Sequence, residues 1–182
     1  MTSICHFKQI RDHDIPRDVF LDANFVISFA IEPPRSQKKE YILHLNAKKL
    51  MTKLVNEEVN IYISLIILSE VWFALTRNLY ESTHGKDTWK YVENKGSIFH
   101  QFLPELRSYT RKLFKEIPEL KFIPSKDQKK IVENALDNIE NYSLYPNDAL
   151  HISTAQSEKI LCVITNDKHF NQVGSLKMII NF

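Results

Sequence analysis

The chain has 182 residues, of which 43% are hydrophobic and 25% are charged, and its formal net charge is +2. These values are ordinary for a folded globular protein, and they exclude a disordered, a collagen-like or a disulfide-built chain. The mildly basic charge does not by itself indicate a nucleic-acid-binding protein, but it is compatible with an acidic pocket inside a basic rim.

Strand patterns alternate with helical patterns along the chain. Short apolar runs predict strands of four or five residues, and apolar residues three or four apart predict helices. Ser64 suits a helix N-cap, Pro104 is expected to kink or divide a long helical segment, and Pro146 suits a first helical turn. In chain order, the patterns predict a strand at 19–22, a helix from 22–24 to about 31, a helix at 36–56, a strand at 61–63, a helix at 65–78, a helical segment at 87–116, a strand at 120–123, a helix at 126–141, a helix from about 146, and strands at 161–165 and 177–180.

This alternation predicts an α/β fold with a mostly parallel central sheet. No repeat, low-complexity tract or linker interrupts the pattern, so we expect one domain over residues 1–182. In sheets of this kind, functional sites form beyond the carboxyl ends of the strands. The residues that follow the predicted strands are therefore the first candidates for a site.

Three features indicate a cytoplasmic protein without membrane contact. The two cysteines, Cys5 and Cys162, show no pattern that would support a disulfide. The N-terminal residues lack the basic-then-apolar layout of a signal peptide. The most apolar stretch, at 61–75, is too short to span a bilayer and contains Glu70.

Four acidic residues carry the chemical interpretation. Asp22 and Asp167 follow predicted strands, and each taken alone is most simply a helix cap or a turn residue. Asp148 lies in the first turn of a helix, where a carboxylate complements the helix dipole. Glu70 lies in a helix that is apolar on nearly every side and is therefore expected to be mostly buried. A carboxylate there needs a partner that offsets the cost of burying its charge. Arg77 and a metal ion are the two candidate partners, and the sequence gives them about equal weight.

Taken together, the four acids indicate more than any one of them. A parallel sheet would bring them to one edge, where four carboxylates cannot all stay ionised without a cation. Oxygen ligands suit Mg²⁺ or Mn²⁺, and such ions activate water for attack on a phosphodiester and stabilise the leaving oxygen. On this reasoning Asp22 and Asp148 are the main metal ligands. Glu70 and Asp167 complete the site directly or through water, and hydrolysis leaves a 5′-phosphate and a 3′-hydroxyl.

Four short segments contain the four acids, in this order along the chain: FLDANF at 20–25, LSEV at 68–71, NDALHISTA at 147–155 and VITNDKHF at 163–170. The last two segments are the most specific, because they place an acid at the start of a small-residue helix and then a strand that ends in Thr-x-Asp-x-x-Phe. The four segments resemble the motifs of PIN domains, in the family's order, and especially those of the VapC-like toxins of type II toxin–antitoxin pairs.

The resemblance implies a PIN-like three-layer α/β/α fold and a Mg²⁺- or Mn²⁺-dependent endoribonuclease that cleaves RNA with metal-activated water. It implies the toxin of a toxin–antitoxin pair, with a protein antitoxin as partner and a homodimer as the assembly. By the same resemblance, Asn24 and Thr165 would orient the metal-binding acids without binding the metal themselves. Those acids are Asp22, Glu70, Asp148 and Asp167.

Two departures from the family pattern leave an alternative open. The family often carries a further acid near the last motif, whereas this chain has Lys168 and His169 there. The helical stretch from about 77 to 118 is also longer than in compact toxins of this type. A PIN nuclease that is not a toxin, and that processes RNA or acts on DNA, is therefore the alternative.

Readings from other classes fit the chain less well. A catalytically silent module that binds nucleic acid or protein has no need of the full acidic set. A haloacid-dehalogenase-type phosphatase requires a second Asp two residues after Asp22, where this chain has Asn24. A receiver domain requires an acid pair before its phosphorylated Asp, and the sequence offers no evident pair.

A few further residues have a plain and a functional interpretation. His151 is predicted to be a core residue rather than part of the site. Lys168 and His169 are as consistent with solvated loop residues as with contacts to a phosphate. A basic stripe on the predicted helix at 87–116 could follow an RNA backbone, but a solvated helix face is the preferred interpretation. The stripe consists of Arg107, Arg111 and Lys115.

Overall fold

A computed structural model describes residues 2–11, 14–124 and 127–182 of the protein. Within these residues, six strands form a single sheet in which every neighbouring pair is parallel. The strands are β1 (Ser3–His6), β2 (Asp18–Leu21), β3 (Asn60–Ile63), β4 (Leu120–Phe122), β5 (Cys162–Ile164) and β6 (Met178–Asn181). Their order across the sheet is β1-β6-β5-β2-β3-β4.

Seven α-helices and three short 3-10 helices occur in the described part of the chain. The 3-10 helices span Phe7–Gln9, Thr88–Tyr91 and Lys168–Gln172. None of the seven α-helices is long and apolar enough to cross a membrane. The α-helices are α1 (Ala23–Ala30), α2 (Lys38–Asn56), α3 (Leu65–His84), α4 (Lys95–Gln101), α5 (Leu103–Glu116), α6 (Gln128–Tyr142) and α7 (Pro146–Ser157).

The helices form two layers around the sheet. Helix α1 packs against α2 and against α3, and α6 packs along α7. The connections from β2 to β3 and from β3 to β4 step one way across the sheet, and the connection from β4 to β5 steps back. Right-handed crossovers therefore put α1–α5 on one face and α6 and α7 on the other. The result is the predicted three-layer α/β/α fold.

The central strands are buried on both faces, as expected for a sheet with helices on either side. In β2, Val19, Phe20 and Leu21 have no exposed surface, and Val163 and Ile164 of β5 have none either. Strands buried on both faces have continuous apolar sequences, and for this reason the sequence predicts them well. Each of the five predicted strands is found, with both ends within one residue of the prediction.

The edge strand β1 was not predicted. It pairs with β6 in parallel register, with Ser3 opposite Met178 and His6 opposite Asn181. Two of its four residues are exposed and the other two are only partly buried. A strand with one free edge and little burial carries no apolar pattern, so only its pairing partner identifies it.

The helical segment predicted at 87–116, with a kink or division at Pro104, is divided into more pieces than expected. The chain instead forms the 3-10 helix Thr88–Tyr91, then α4, and then α5 after a break at Phe102. The Asn94 side chain accepts a hydrogen bond from Ser97 N and so begins α4 as a separate helix. Pro104 lies in the first turn of α5, which confirms the expected division at this proline.

Two helix boundaries also differ from the prediction. Helix α3 continues to His84, six residues beyond the predicted end at 78, and stops at Gly85, whose φ of 101° other residues rarely adopt. Helix α6 begins at Gln128, whereas the predicted start at residue 126 lies outside the described residues.

Candidate metal-binding active site

Asp22 follows β2 directly and occupies the N-cap position of α1. Its backbone N–H donates to Ile164 O at 3.1 Å, which carries the β2–β5 pairing one residue further. The side chain makes no capping hydrogen bond to the helix, although the position is one where Asp usually does so. The carboxylate is only 4% exposed and turns towards β5 instead. The simple capping interpretation therefore does not account for it.

Thr165, directly after β5, holds the Asp22 carboxylate. Its hydroxyl donates to Asp22 Oδ2 at 2.8 Å. The Thr165 hydroxyl oxygen, Oγ1, accepts from Asn24 Nδ2 and from the backbone N–H of Asp167, each at 2.9 Å. Asn24 Nδ2 also donates to Asp22 Oδ2. Since a hydroxyl has one proton and two lone pairs, every hydrogen-bonding position of Thr165 is used.

Asp148 and Asp167 meet beside this network. Asp148 lies in the first turn of α7, and Asp167 caps the 3-10 helix Lys168–Gln172 by accepting from His169 N at 2.8 Å. Asp148, Asp167 and His169 each offer one potential ligand atom, and these atoms lie within 4.8 Å of one another. Asp167 is thus the turn residue that the sequence suggested, and also part of an acidic cluster.

Glu70 is fixed by two residues of α7. Asn147 Nδ2 donates to Glu70 Oε1 at 2.6 Å, and His151 Nε2 lies 3.0 Å from Glu70 Oε2. His151 is 1% exposed, and its other nitrogen lies 3.5 Å from the Ser64 hydroxyl. Arg77 instead pairs with Glu81 at 3.3 Å, so it is not the partner that Glu70 required.

The expected deep burial of the Glu70 helix is wrong. Along α3, Leu65 is 70% exposed, Trp72 is 38% exposed and Phe73 is 43% exposed. Only one side of the helix faces the core, through residues such as Ile67 and Val71. Glu70 lies at the border between these sides, where its carboxylate reaches α7 and remains partly open to solvent.

Burial and neighbouring groups shift the pKa of three of the four acids. Burial, helped by the charges of Asp22 and Asp167, raises the pKa of Asp148 to about 6. Burial also raises the pKa of Asp22, against the opposing effects of His151 and the Thr165 hydrogen bond. For Glu70 burial acts to raise the pKa, but hydrogen bonds from His151 and Asn147 outweigh it and lower the pKa.

The structure thus brings all six predicted residues into one neighbourhood. Asp148 and Asp167 share a cluster, and the charges of Asp22 and Glu70 act on Asp148. Asn24 and Thr165 contact the Asp22 carboxylate directly. The basic stripe on α5, formed by Arg107, Arg111 and Lys115, is exposed to solvent.

Three residues of the neighbourhood were not assigned to it from the sequence. Asn147 and His151 hold Glu70, and His169 stands beside Asp167. A signal existed for two of them, because residues one and three positions from Asp148 share a helix end or face with it. The interpretation of His151 as an ordinary core residue is incomplete, since the buried ring also binds a carboxylate.

The donor set fits a divalent cation. Carboxylate oxygens are the ligands that Mg²⁺ and Mn²⁺ take in proteins. Burial and, after it, the charges of Asp22 and Asp167 raise the pKa of Asp148, and a bound cation would favour its ionised form. The fold and the site therefore define an α/β protein with a candidate divalent-metal centre at the carboxyl ends of its strands.

Comparison with known families identifies the class more closely. The model of the PIN domain family matches residues 19–176. This match runs from the second residue of β2 to beyond β5 and includes Asp22, Glu70, Asp148 and Asp167, and the chain belongs to the PIN domain family. The resemblance inferred from the four motifs is confirmed.

Two known proteins are similar to the chain. It is 33% identical over 135 residues to "Ribonuclease VapC2" of Methanocaldococcus jannaschii, a match that covers 74% of this chain and 82% of the relative. Among solved structures, VapBC2 from Rickettsia felis bound to a DNA fragment from its promoter aligns over 90% of this chain and 98% of that chain, with a TM-score of 0.51 and 18% identity. At this identity the structural likeness shows a shared fold.

Proposed function

We propose that residues 1–182 form one PIN domain that acts as a metal-dependent endoribonuclease, the toxin of a toxin–antitoxin pair. The observation that carries the proposal is the Asp148–Asp167 cluster, which lies beside Asp22 and Glu70 in a PIN fold. The relative named as a ribonuclease supports RNA as the substrate.

The four acids have separate roles in this proposal. Asp22 and Asp148 are the main metal ligands, and Glu70 and Asp167 complete the site directly or through water. A Mg²⁺ or Mn²⁺ ion bound there supplies the Lewis acidity that activates water and stabilises the leaving oxygen, so that cleavage leaves a 5′-phosphate and a 3′-hydroxyl.

The surrounding side chains keep the acids in place. Thr165 and Asn24 both bond to Oδ2 of Asp22, which restricts the rotation of that carboxylate. Asn147 and His151 bind one oxygen of Glu70 each and hold it ionised. Ligands oriented in this way bind a metal more tightly than free ones, because less conformational freedom is lost on binding.

The toxin assignment adds a partner and an assembly. We propose a protein antitoxin that covers the acidic site, and a homodimer of the chain. The VapBC2 structure and the VapC2 relative support the antitoxin partner by their names and by similarity, and the homodimer rests on the family resemblance. Cytoplasmic RNA is then the substrate.

The first test is cleavage of total cellular RNA, including folded tRNA and rRNA, by the purified chain free of any partner. Reactions contain Mg²⁺, Mn²⁺ or EDTA, and new 5′ ends are mapped by sequencing. Asp148→Asn removes a proposed ligand, and Asp137→Asn on the exposed side of α6 is the matched control. We expect discrete cuts that need metal, persist in the control and vanish in Asp148→Asn.

The alternative is a PIN nuclease that is not a toxin and that processes RNA or acts on DNA. The helical segment between α3 and β4, with α4 and α5, favours it because it is long for a compact toxin. Induced expression separates the two. Growth arrest by the wild type but not by Asp148→Asn supports the toxin, and harmless expression with cleavage in vitro supports the alternative. A lack of cleavage on RNA and on DNA would indicate a silent binding module.

A further inference from the structure

We propose that the His169 imidazole is a direct ligand of the divalent ion at this site and makes the site prefer Mn²⁺ to Mg²⁺. The inference rests on the proposed metal site. It goes further by naming a nitrogen ligand and the class of ion that such a ligand favours.

The geometry allows one ion to be shared by three side chains. Potential ligand atoms of Asp148, Asp167 and His169 lie within 4.8 Å of one another. Nδ1 of His169 lies 3.2 Å from Oδ1 of Asp167. With bonds of about 2.1 Å, ligands of an octahedral ion lie about 3 Å apart when adjacent and about 4 Å apart when opposite. The three groups therefore need only a small movement to bind one ion.

The imidazole is held near the cluster rather than extended into solvent. Phe170, the next residue, has no exposed surface and anchors the 3-10 helix to the core. The His169 backbone N–H donates to Asp167 Oδ1, and the Tyr145 ring packs edge-on against the imidazole with centroids 5.3 Å apart. The His169 side chain is still half exposed, so an ion can reach it from solvent.

Ligand chemistry then sets the choice of metal. The His169 imidazole adds a nitrogen donor to the oxygen donors of Asp148 and Asp167. Mg²⁺ takes oxygen ligands almost exclusively, whereas first-row transition ions bind sites that include nitrogen more readily. Lys168, the other residue at this place, has an exposed ammonium that cannot bind a cation.

The experiment is pulsed EPR on Mn²⁺ bound to the full chain, which detects ¹⁴N coupling from a coordinated imidazole without any need for activity. His169→Gln is compared with wild type, and His100→Gln, at an exposed position of α4, is the matched control. We expect the ¹⁴N coupling in the wild type and in the control, and its loss in His169→Gln. The Mn²⁺ affinity of His169→Gln should fall by roughly tenfold, with a smaller change in Mg²⁺ affinity measured by competition.

His169→Asp tests the preference itself. This variant restores an oxygen donor, so we expect it to keep binding both ions while its ratio of Mn²⁺ to Mg²⁺ affinity falls below that of the wild type. Retained binding also shows that the loop has folded.

Two results would overturn the inference, and they differ in what they leave standing. Unchanged ¹⁴N coupling and affinity in His169→Gln, with Mn²⁺ binding lost in Asp148→Asn, would refute the histidine ligand and keep the acidic metal site. A wild-type chain that binds no Mn²⁺ would refute both the ligand and the proposed metal site.

Discussion

Thr165 and Asp22 are joined by a 2.8 Å hydrogen bond although they lie 143 positions apart in the sequence. The sheet explains the distance. Leu21 pairs with Ile164 in the parallel register of β2 and β5, so the residues that follow these two strands lie side by side. The hydroxyl and the carboxylate therefore meet because of strand pairing and not because of a local turn.

Thr165→Val tests the importance of this hydroxyl. Valine keeps the shape of the side chain but leaves Asn24 Nδ2, Asp167 N and Asp22 Oδ2 each without one partner. We expect kcat for RNA cleavage to fall by about 10- to 100-fold and the free energy of unfolding to fall by about 1–3 kcal/mol.

Thr165→Ser is the matched control, since it retains the hydroxyl and should stay close to wild type in both measurements. Enzyme kinetics and denaturant unfolding give the two quantities. Wild-type activity in the valine variant would show that the hydroxyl does not position Asp22 for catalysis.

Removal of the hydrogen bonds to Glu70 should raise its pKa. Glu70 is held below its ordinary pKa of 4.5, so it contributes stability above pH 4.5 that is lost as the pH falls through the folded-state pKa. In His151→Leu and, to a smaller extent, in Asn147→Ala, we expect acid unfolding to begin at a higher pH.

Carboxyl ¹³C chemical shifts of Glu70, followed during an acid titration, measure this pKa directly. Asn147 is exposed, so its variant separates the lost hydrogen bond from damage to the core. An unmoved Glu70 titration in both variants would contradict the proposed support from α7.

Asp148→Asn should stabilise the metal-free protein at neutral pH. The Asp148 pKa is raised to about 6, so its stability contribution is present below about pH 4 and is lost as the pH rises through 6. An amide cannot ionise, and we expect a gain of about 1 kcal/mol at pH 7.5 after allowance for solvent screening at this half-buried site.

The order of stabilities should reverse with metal. At a free Mn²⁺ concentration 100 times the dissociation constant, the wild type gains about 2.7 kcal/mol that a chain without the site does not gain. Thermal unfolding at pH 7.5 in EDTA and in Mn²⁺ measures both effects. A variant that is less stable than the wild type in EDTA would argue against a raised pKa of Asp148 in the folded protein.

Phe170→Ala should destabilise the whole fold. The ring has no exposed surface, and its removal leaves a cavity beneath the loop that carries Asp167 and His169. We expect the free energy of unfolding to fall by about 3–5 kcal/mol. Phe170→Leu fills most of the space, so its free energy of unfolding, measured with denaturant, should lie between those of the wild type and of Phe170→Ala. A loss below about 1 kcal/mol in the alanine variant would show that the loop is not anchored by this ring.

The sequence predicts the sheet better than the helices around it. Buried central strands appear as apolar runs, whereas the half-exposed β1 does not. The apolar residues of α3 suggested a buried helix, but Leu65, Trp72 and Phe73 face outward. Periodicity alone could not show this, because exposed and buried apolar residues look the same in a sequence.

The candidate site was predictable where motifs carry it. The four acids were found from their order and from their positions after strands or early in helices. The contacts that support these acids were not predicted from the sequence. His151 and Asn147 contact Glu70 only because α3 and α7 lie side by side in the fold. Contacts between elements distant in sequence are decided by packing, which a single sequence does not display.

The place of β6 in the sheet bears on when the site forms during protein synthesis. Strand β6 lies between β1 and β5, and the Thr165 backbone N–H donates to Ile180 O at 3.1 Å. A nascent chain that has not yet emerged as far as residue 180 lacks this acceptor and the strand that completes the sheet beside β5. The Thr165–Asp22 contact then lacks the backbone hydrogen bond from Thr165 to β6, so the site is completed only after synthesis has passed residue 180.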